Sequence, residues 1–303
     1  MDIVIHRNIA DLYKSLNLPF EQETDFTIHF KPAILPEIPC ASPTYRADYF
    51  TFGFVKDGAG SYTIDDYRFP YDSNTIYFSN PGHIKSFEVD ELQDAYMITL
   101  TESFLRENVY TNIFEEFPFL LAEIVPPKKL SAARFSEFET LYKQIMVEYE
   151  KLSVYKNKIL GNLFVVLLLK LKEEFWVNYD PIIEGNRNSQ IVKSFKHLLE
   201  SEFRQLMENS PQEGKLQVQH FAEKLNLHPN YLNSVIKSKT GNTVNQWISS
   251  RTLSTAKLLL MNTSYSSKEI AYKLGFSEPT HFSRFFKKHT QTSPSIFRKS
   301  HQV

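Results

Sequence analysis

The feature that most constrains this chain is a pattern that occurs twice near its C-terminus. Ala222, Leu225, Pro229, Leu232, Ile236 and Gly241 follow one another in the first copy, and Ala271, Leu274, Gly275, Pro279, Phe282 and Phe286 in the second. In each copy a small residue stands where two helices must cross closely, and apolar residues fill the space beneath. A proline then opens the second helix, where its missing N–H has no helical acceptor. Gly241 suits a left-handed helix exit and Gly275 the positive φ of a tight turn. The spacing predicts two helix-turn-helix units, at about 217–239 and 267–289. Between them, residues 243–262 read as one unbroken helix with Trp247, Ile248, Leu253, Ala256, Leu259 and Leu260 on its buried side. A helix of ~20 residues spans ~30 Å, close to the ~34 Å between successive major-groove faces of a duplex. An earlier helix, with Ile191, Phe195, Leu198, Leu199 and Phe203 on one stripe, packs rather than reads.

Charge divides the chain at the same place. Residues 187–303 hold 17 Lys and Arg against 7 Asp and Glu, a net of +10, whereas residues 1–186 carry −11, so the overall −1 hides two opposed halves. A basic domain of this size attracts polyanions, and its acidic partner would be repelled by the same surface. Asn178-Tyr179-Asp180-Pro181 and Glu184 to Ser189 cluster turn formers. The expected organisation is an N-terminal domain over 1–176, a linker over 177–189 and a DNA-binding domain over 190–303.

The N-terminal half reads as short β-rich runs followed by helices. Phe50, Phe52 and Phe54 alternate with Thr51 and Gly53, which puts three rings on one strand face. Asp57-Gly58 and Asp65-Asp66 read as tight turns about a strand from Gly60 to Ile64, with further strands at Thr75–Ser79 and Ala95–Leu100 and a turn at Pro81-Gly82. This fits a small antiparallel barrel or jelly roll. Within 102–175, Phe135, Phe138, Leu141, Tyr142 and Ile145 form one helical stripe, and Ile159 to Phe175 is apolar on most faces. Such a segment buries itself against the barrel, a neighbouring helix or a second copy, which predicts a homodimer through helices in 131–175. The fold class expected is α+β and multidomain: a β-barrel or jelly roll, then helices, then an all-α domain with two helix-turn-helix units.

Little in the sequence suggests catalysis. The single Cys40 supports neither an intramolecular disulfide nor a cysteine zinc site. Metal-binding barrels converge several His and carboxylate ligands, but here only His83 lies at a suitable turn, and Lys85 follows it. No metal, cofactor or catalytic residue is expected, and the chain is read as a non-enzyme. A ligand pocket fits better, with Tyr49, Phe50, Phe52, Phe54, His83 and Tyr96 as candidates, although strand aromatics also serve as plain core and His83 as a plain turn histidine. Ile159 to Leu169 falls short of the ~20 apolar residues of a bilayer span. The first residues lack a basic, then apolar, leader, so a cytoplasmic location without membrane contact is expected.

Ile270-Ala271, Gly275-Phe276, Phe282-Ser283-Arg284, Phe286-Lys287-Lys288, Ser293-Pro294 and Phe297-Arg298 closely resemble the signature of AraC/XylS-type transcriptional regulators. Phe221-Ala222, Leu225, Tyr231-Leu232 and Thr240-Gly241 are similar to that family's first helix-turn-helix. The resemblance implies a sequence-specific regulator that binds double-stranded DNA and works with RNA polymerase, with a cupin-like N-terminal effector domain. Base contacts are then expected on the outward faces of the two second helices. Alignment on buried Leu232 and Phe282 leaves Asn230, Asn233, Ser234 and Lys237 outward on the first, and Glu278, Pro279, Thr280, His281 and Arg284 on the second. Asn pairs with adenine and Arg with guanine. Lys239, Thr243, Lys287, Lys288, Ser293, Arg298 and Lys299 are expected at phosphates. Other readings remain: a constitutive regulator whose barrel only dimerises, and a cupin-like enzyme fused to a DNA-binding domain. One position departs from the family, where Gln291 replaces the glycine that usually ends the second reading helix.

Overall fold

A computed structural model describes residues 3–16, 24–35, 37–65, 67–109, 113–121, 124–175, 187–208 and 216–301. The chain is an α+β protein of two units, residues 1–183 and 184–303. Residues 176–186, which hold most of the expected linker, and Asp66 of the expected turn lie outside the described residues.

The first unit opens with β1 (Val4–His6), α1 (Ile9–Ser15), β2 (Phe26–Phe30), α2 (Lys31–Ile34), β3 (Cys40–Ala41) and β4 (Tyr45–Ala47). It continues through β5 (Phe50–Ile64), β6 (Tyr67–Tyr71), β7 (Thr75–Ser79) and β8 (Ile84–Leu100). The short helices α3 (Glu102–Asn108) and α4 (Ile113–Glu116), a 3-10 turn at Pro118–Leu121, β9 (Lys128–Lys129), α5 (Ala132–Glu150) and α6 (Lys156–Phe175) complete it. The strands form one mixed nine-stranded sheet in the order β1-β4-β8-β5-β7-β9, with β2 and β3 also on β8 and β6 also on β5. Among the described residues only the β1–β4 pair is parallel.

Asp57-Gly58 does not turn the chain, contrary to the sequence reading. β5 runs through it as one strand, and its register against β8 shifts between Val55 and Asp57, Asp57 and Gly58, and Ala59 and Gly60. Such bulges bend a strand without ending it. The two ends of β5 therefore take different neighbours, β7 along Thr51–Val55 and β6 along Gly60–Ile64. They also face each other: Tyr77 of β7 stacks on Tyr62 and Tyr71 from the far end, with ring centroids 4.7 and 5.7 Å apart. Gly53 makes room for this stack, since a Cβ there would stand 2.1 Å from the Tyr77 ring.

The sheet's two faces build two large cores, and a third, smaller one joins α1 to Ala47 and Tyr49. Phe50, Phe52 and Phe54 join Phe78, Tyr142 and Phe164 beneath the helices, while Val55, Tyr62, Ile64 and Tyr77 pack inside the bend. On α5, Ser131 caps the first turn by accepting from Arg134 N–H at 3.3 Å, and Phe135, Phe138, Tyr142 and Ile145 are buried as the stripe predicted. α6 buries Leu160, Phe164, Leu167, Leu168 and Leu171. Its opposite stripe, Ile159, Val166 and Leu169, remains exposed.

Among its described residues the second unit is all-helical: α7 (Arg187–Glu208), α8 (Val218–Lys224), α9 (Pro229–Thr240), α10 (Val244–Asn262), α11 (Ser267–Lys273), α12 (Pro279–Thr290) and α13 (Pro294–His301). It has two apolar clusters. Val244 and Ile248 from the start of α10 join α7, α8 and α9, while Ala256, Leu259 and Leu260 from its end join α11, α12 and Phe297 of α13. Between them α10 is polar apart from Leu253, which packs with the second cluster. Arg251 pairs with Glu200 of α7 at 3.3 Å and donates to Thr255 at 2.7 Å.

Candidate nucleic-acid interface

The two helix-turn-helix units repeat one another bond for bond. In the first turn Leu227 N–H donates to the Ala222 carbonyl at 2.9 Å, and in the second Phe276 N–H donates to Ala271 at 3.0 Å. The residue before each holds positive φ, 53° at Asn226 and 79° at Gly275. Asn tolerates this conformation better than most side chains, which is why a non-glycine serves in the first unit. Pro229 and Pro279 open α9 and α12 in their first turns. Each helix then ends on a threonine whose hydroxyl turns back onto it: Thr240 donates to the Ile236 carbonyl at 2.8 Å and Thr290 to Phe286 at 2.9 Å. The capping roles of these two threonines and the positive φ of Asn226 were not read from the sequence. The available signal was their alignment between the copies.

Burial of Leu232 and Ile236 on α9, and of Phe282 and Phe286 on α12, turns the opposite faces to solvent. Asn230, Ser234 and Lys237 are exposed on the first, and Glu278, Thr280, His281 and Arg284 on the second, with Pro279 half-buried. Asn233 is half-buried, and its Oδ1 accepts from Val244 N–H at 3.1 Å, so it fastens α9 to the start of α10. The Glu278 carboxylate accepts from the Thr280 hydroxyl at 3.0 Å, and His281 Nδ1 lies 3.4 Å from the Ser277 hydroxyl. Arg284 forms no hydrogen bond or ion pair among the described residues. With Lys287 and Lys288 it makes a cationic strip at three- and four-residue steps, where side chains are neighbours on a helix.

Of the residues expected at phosphates, Lys287, Lys288 and Lys299 are exposed and Lys239 half-buried. Thr243 forms a capping box with Gln246, accepting from its N–H at 3.2 Å while the Gln246 amide oxygen takes the Thr243 N–H at 2.7 Å. Ser293 Oγ accepts from Ile296 N–H at 3.3 Å. Both hydroxyls thus serve the helix starts. Arg298 is occupied within the fold: Nε donates to the Leu260 carbonyl at 3.0 Å and a terminal nitrogen to Tyr265 at 2.5 Å, which ties α13 to the end of α10.

The aromatic pocket expected in the N-terminal half is differently composed. A cavity of about 60 Å³ lies inside the bend, lined by Tyr45, Tyr49, Tyr62, Tyr77, Lys85 and Met97 among others. Tyr49 is the one expected residue that lines it. Phe50, Phe52, Phe54 and Tyr96 pack on the other side of the sheet, with Tyr96 stacked on Tyr142 at 4.6 Å. Period-two alternation sorts side chains onto two faces but does not say which face the helices will cover. His83 is buried, with Nδ1 2.9 Å from Asp65. Among the described residues no three His, Cys, Asp or Glu converge as a metal would need, and no helix is long and apolar enough to cross a membrane.

Comparison with known proteins agrees with the C-terminal geometry. Residues 221–300 match the family described as "Helix-turn-helix domain". The Msm operon regulatory protein of Streptococcus mutans is 26% identical over 86% of this chain and 87% of its own length. The arabinose operon regulatory protein of Escherichia coli is 27% identical over 53% of this chain and 51% of its own. The C-terminal domain of AraT, a response regulator from Geobacillus stearothermophilus, is 25% identical over 39% of this chain and 91% of that chain, with a TM-score of 0.33. The C-terminal region of the chain is a helix-turn-helix DNA-binding domain of the AraC/XylS type.

Proposed function

We propose that this chain, a transcriptional regulator with an AraC/XylS-type DNA-binding domain, reads a specific DNA site by placing α9 and α12 in successive major grooves, under control of a small molecule held in the N-terminal cavity. The observation that carries the reading is the duplication itself: two exposed polar faces with the same turn and capping bonds stand at opposite ends of α10. Its 19 residues rise ~28 Å, near the spacing of adjacent grooves. Asn230, Ser234, Lys237, Thr280, His281 and Arg284 face the base edges, Glu278 and Pro279 lie at the margin, and Lys239, Lys287, Lys288 and Lys299 hold phosphates. Asn233, Thr243 and Ser293 act by shaping the reading helices. A non-enzymatic role fits the regulator names of the relatives, and RNA polymerase is the further partner.

The test is selection of bound sites from a randomised DNA pool with non-specific competitor. Enrichment of two blocks about one helical turn apart is the expected result, and binding without enrichment overturns it.

The exposed Ile159, Val166 and Leu169 stripe on α6 favours a second role for the N-terminal unit, as a dimerising element joining two copies. On that reading the unit sets DNA-site symmetry whether or not the cavity is filled. Sedimentation of the full chain separates the two, since regulation by ligand alone needs no dimer.

A further inference from the structure

The cavity inside the sheet is lined by a charged group that nothing among the described residues satisfies. Lys85 stands on β8, paired across strands with Tyr45 of β4 and Ile64 of β5, and lines the cavity at 4% exposure. Its Nζ has no hydrogen-bond partner among the described residues. An ammonium carries three donors, and a buried charge of this kind is normally paired. Asp65 and Asp48 are near enough to favour the charged form without bonding it. Asp65 is already engaged by His83 and by the Ile84 N–H at 3.1 Å. Burial outweighs both carboxylates and pushes the Lys85 pKa down to about 7.

The rest of the lining narrows what could satisfy it. Lys31 of α2 also borders the cavity, where it donates to the Tyr77 hydroxyl at 3.4 Å and lies 5.7 Å from the Phe87 ring centre. Leu12, Ile34 and Met97 add apolar wall. Among the described residues no acidic side chain lines the space. A dianion such as phosphate needs several donors to replace its hydration, whereas one orphaned ammonium beside rings and aliphatic chains matches a single charge with an apolar body. The free volume of about 60 Å³ corresponds to roughly four to six water-sized atoms.

We infer that this cavity binds a small organic carboxylate, whose oxygens accept hydrogen bonds from Lys85 Nζ and whose apolar body lies against the tyrosines and Met97. The inference rests on reading the cavity as the effector site, and it assigns the effector's chemical class.

The experiment is thermal denaturation of the full chain with acetate, propionate and butyrate, against acetamide, propionamide and butyramide in chloride of matched ionic strength. The acids should raise the melting point with concentration while the amides do not. Lys85→Met should abolish the response without lowering the melting point of the free protein, since Met leaves no orphaned charge. If Met alters the cavity, Lys85→Gln supplies a polar uncharged side chain and must lose the same response. Equal effects of acids and amides, or a response retained in either variant, overturn the inference. Site selection with and without propionate separates the two levels. Carboxylate binding without any change in DNA binding leaves the ligand class standing and removes the control. Control by some other molecule, with no carboxylate response, does the reverse.

Discussion

Gln291 and Gly241 end the two reading helices in the same left-handed conformation, at φ 60°, ψ −1° and φ 78°, ψ −18°. Glycine adopts it freely, whereas a side chain meets its own carbonyl there. The Gln291 side chain returns little, with one long contact of 3.4 Å to the Lys288 carbonyl. Gln291→Gly therefore stabilises the second unit by ~0.5–1 kcal/mol net of the added chain freedom. A thermal melt should rise by a few degrees, and a fall would mean that the glutamine side chain contributes more than its contact shows.

Arg284→Ala removes an exposed side chain with no partner among the described residues, so the melting point should hold. Loss of a bidentate guanine contact costs ~1–3 kcal/mol and relaxes preference at one base pair. Competition binding against single-base variants of the selected site checks this. A loss uniform across sequences, with the salt slope reduced by ~1, would reassign Arg284 to phosphate.

Arg298→Ala should instead weaken the fold. The carbonyls of Leu260 in α10 and of Tyr265 just beyond it lose a charged donor, at ~1.5–3 kcal/mol, and Lys cannot replace the guanidinium fork. Urea denaturation of Arg298→Ala and Arg298→Lys should show both destabilised, while the salt dependence of DNA binding below the transition stays as in wild type.

Lys85 gives stability a dependence on pH. Its folded pKa of about 7 lies below the ordinary 10.5, so between these values the unfolded chain binds the extra proton. Stability from this group then rises with pH across the window, by at most ~1.4 kcal/mol per unit, and the folded state is penalised most at and below pH 7. Asp48 and Asp65, which favour the ammonium, keep the folded pKa from falling further and so limit the width of this window. Denaturant titrations from pH 7 to 9.5 should show the wild type gaining relative to Lys85→Met, and parallel profiles would show that Lys85 keeps its charge.

Val166→Glu places a carboxylate in the exposed stripe of α6. If that stripe joins two copies, sedimentation should shift from dimer to monomer with secondary structure unchanged.

The helix-turn-helix units were legible because their determinants are local. Pro229, Pro279, Gly241 and Gly275 each act through their own backbone, and Leu232 and Phe282 fix the inward face a turn away. The N-terminal cavity was not legible in this way. Lys85 reaches it through pairing with Tyr45 and Ile64, residues 40 and 21 positions away, and no window along the chain contains that register. The same distance hid the Phe50 face, whose cover comes from Tyr142 and Phe164. Asp57-Gly58 misled because its composition suits a turn as well as a bulge, and strands pairing on both sides decided between them. The bonds that Asn233 and Arg298 make within the fold were not legible either, since the Val244 amide and the Leu260 and Tyr265 carbonyls lie on other elements.

The polar middle of α10 makes the two reading heads separately perishable. Val244 and Ile248 anchor one end of the helix, Ala256 and Leu260 the other, and no apolar side chain belongs to both clusters. A lesion under α12 can therefore melt that head while α9 keeps its amide protons. Hydrogen exchange should resolve two opening free energies along one continuous helix, with the break near Arg251.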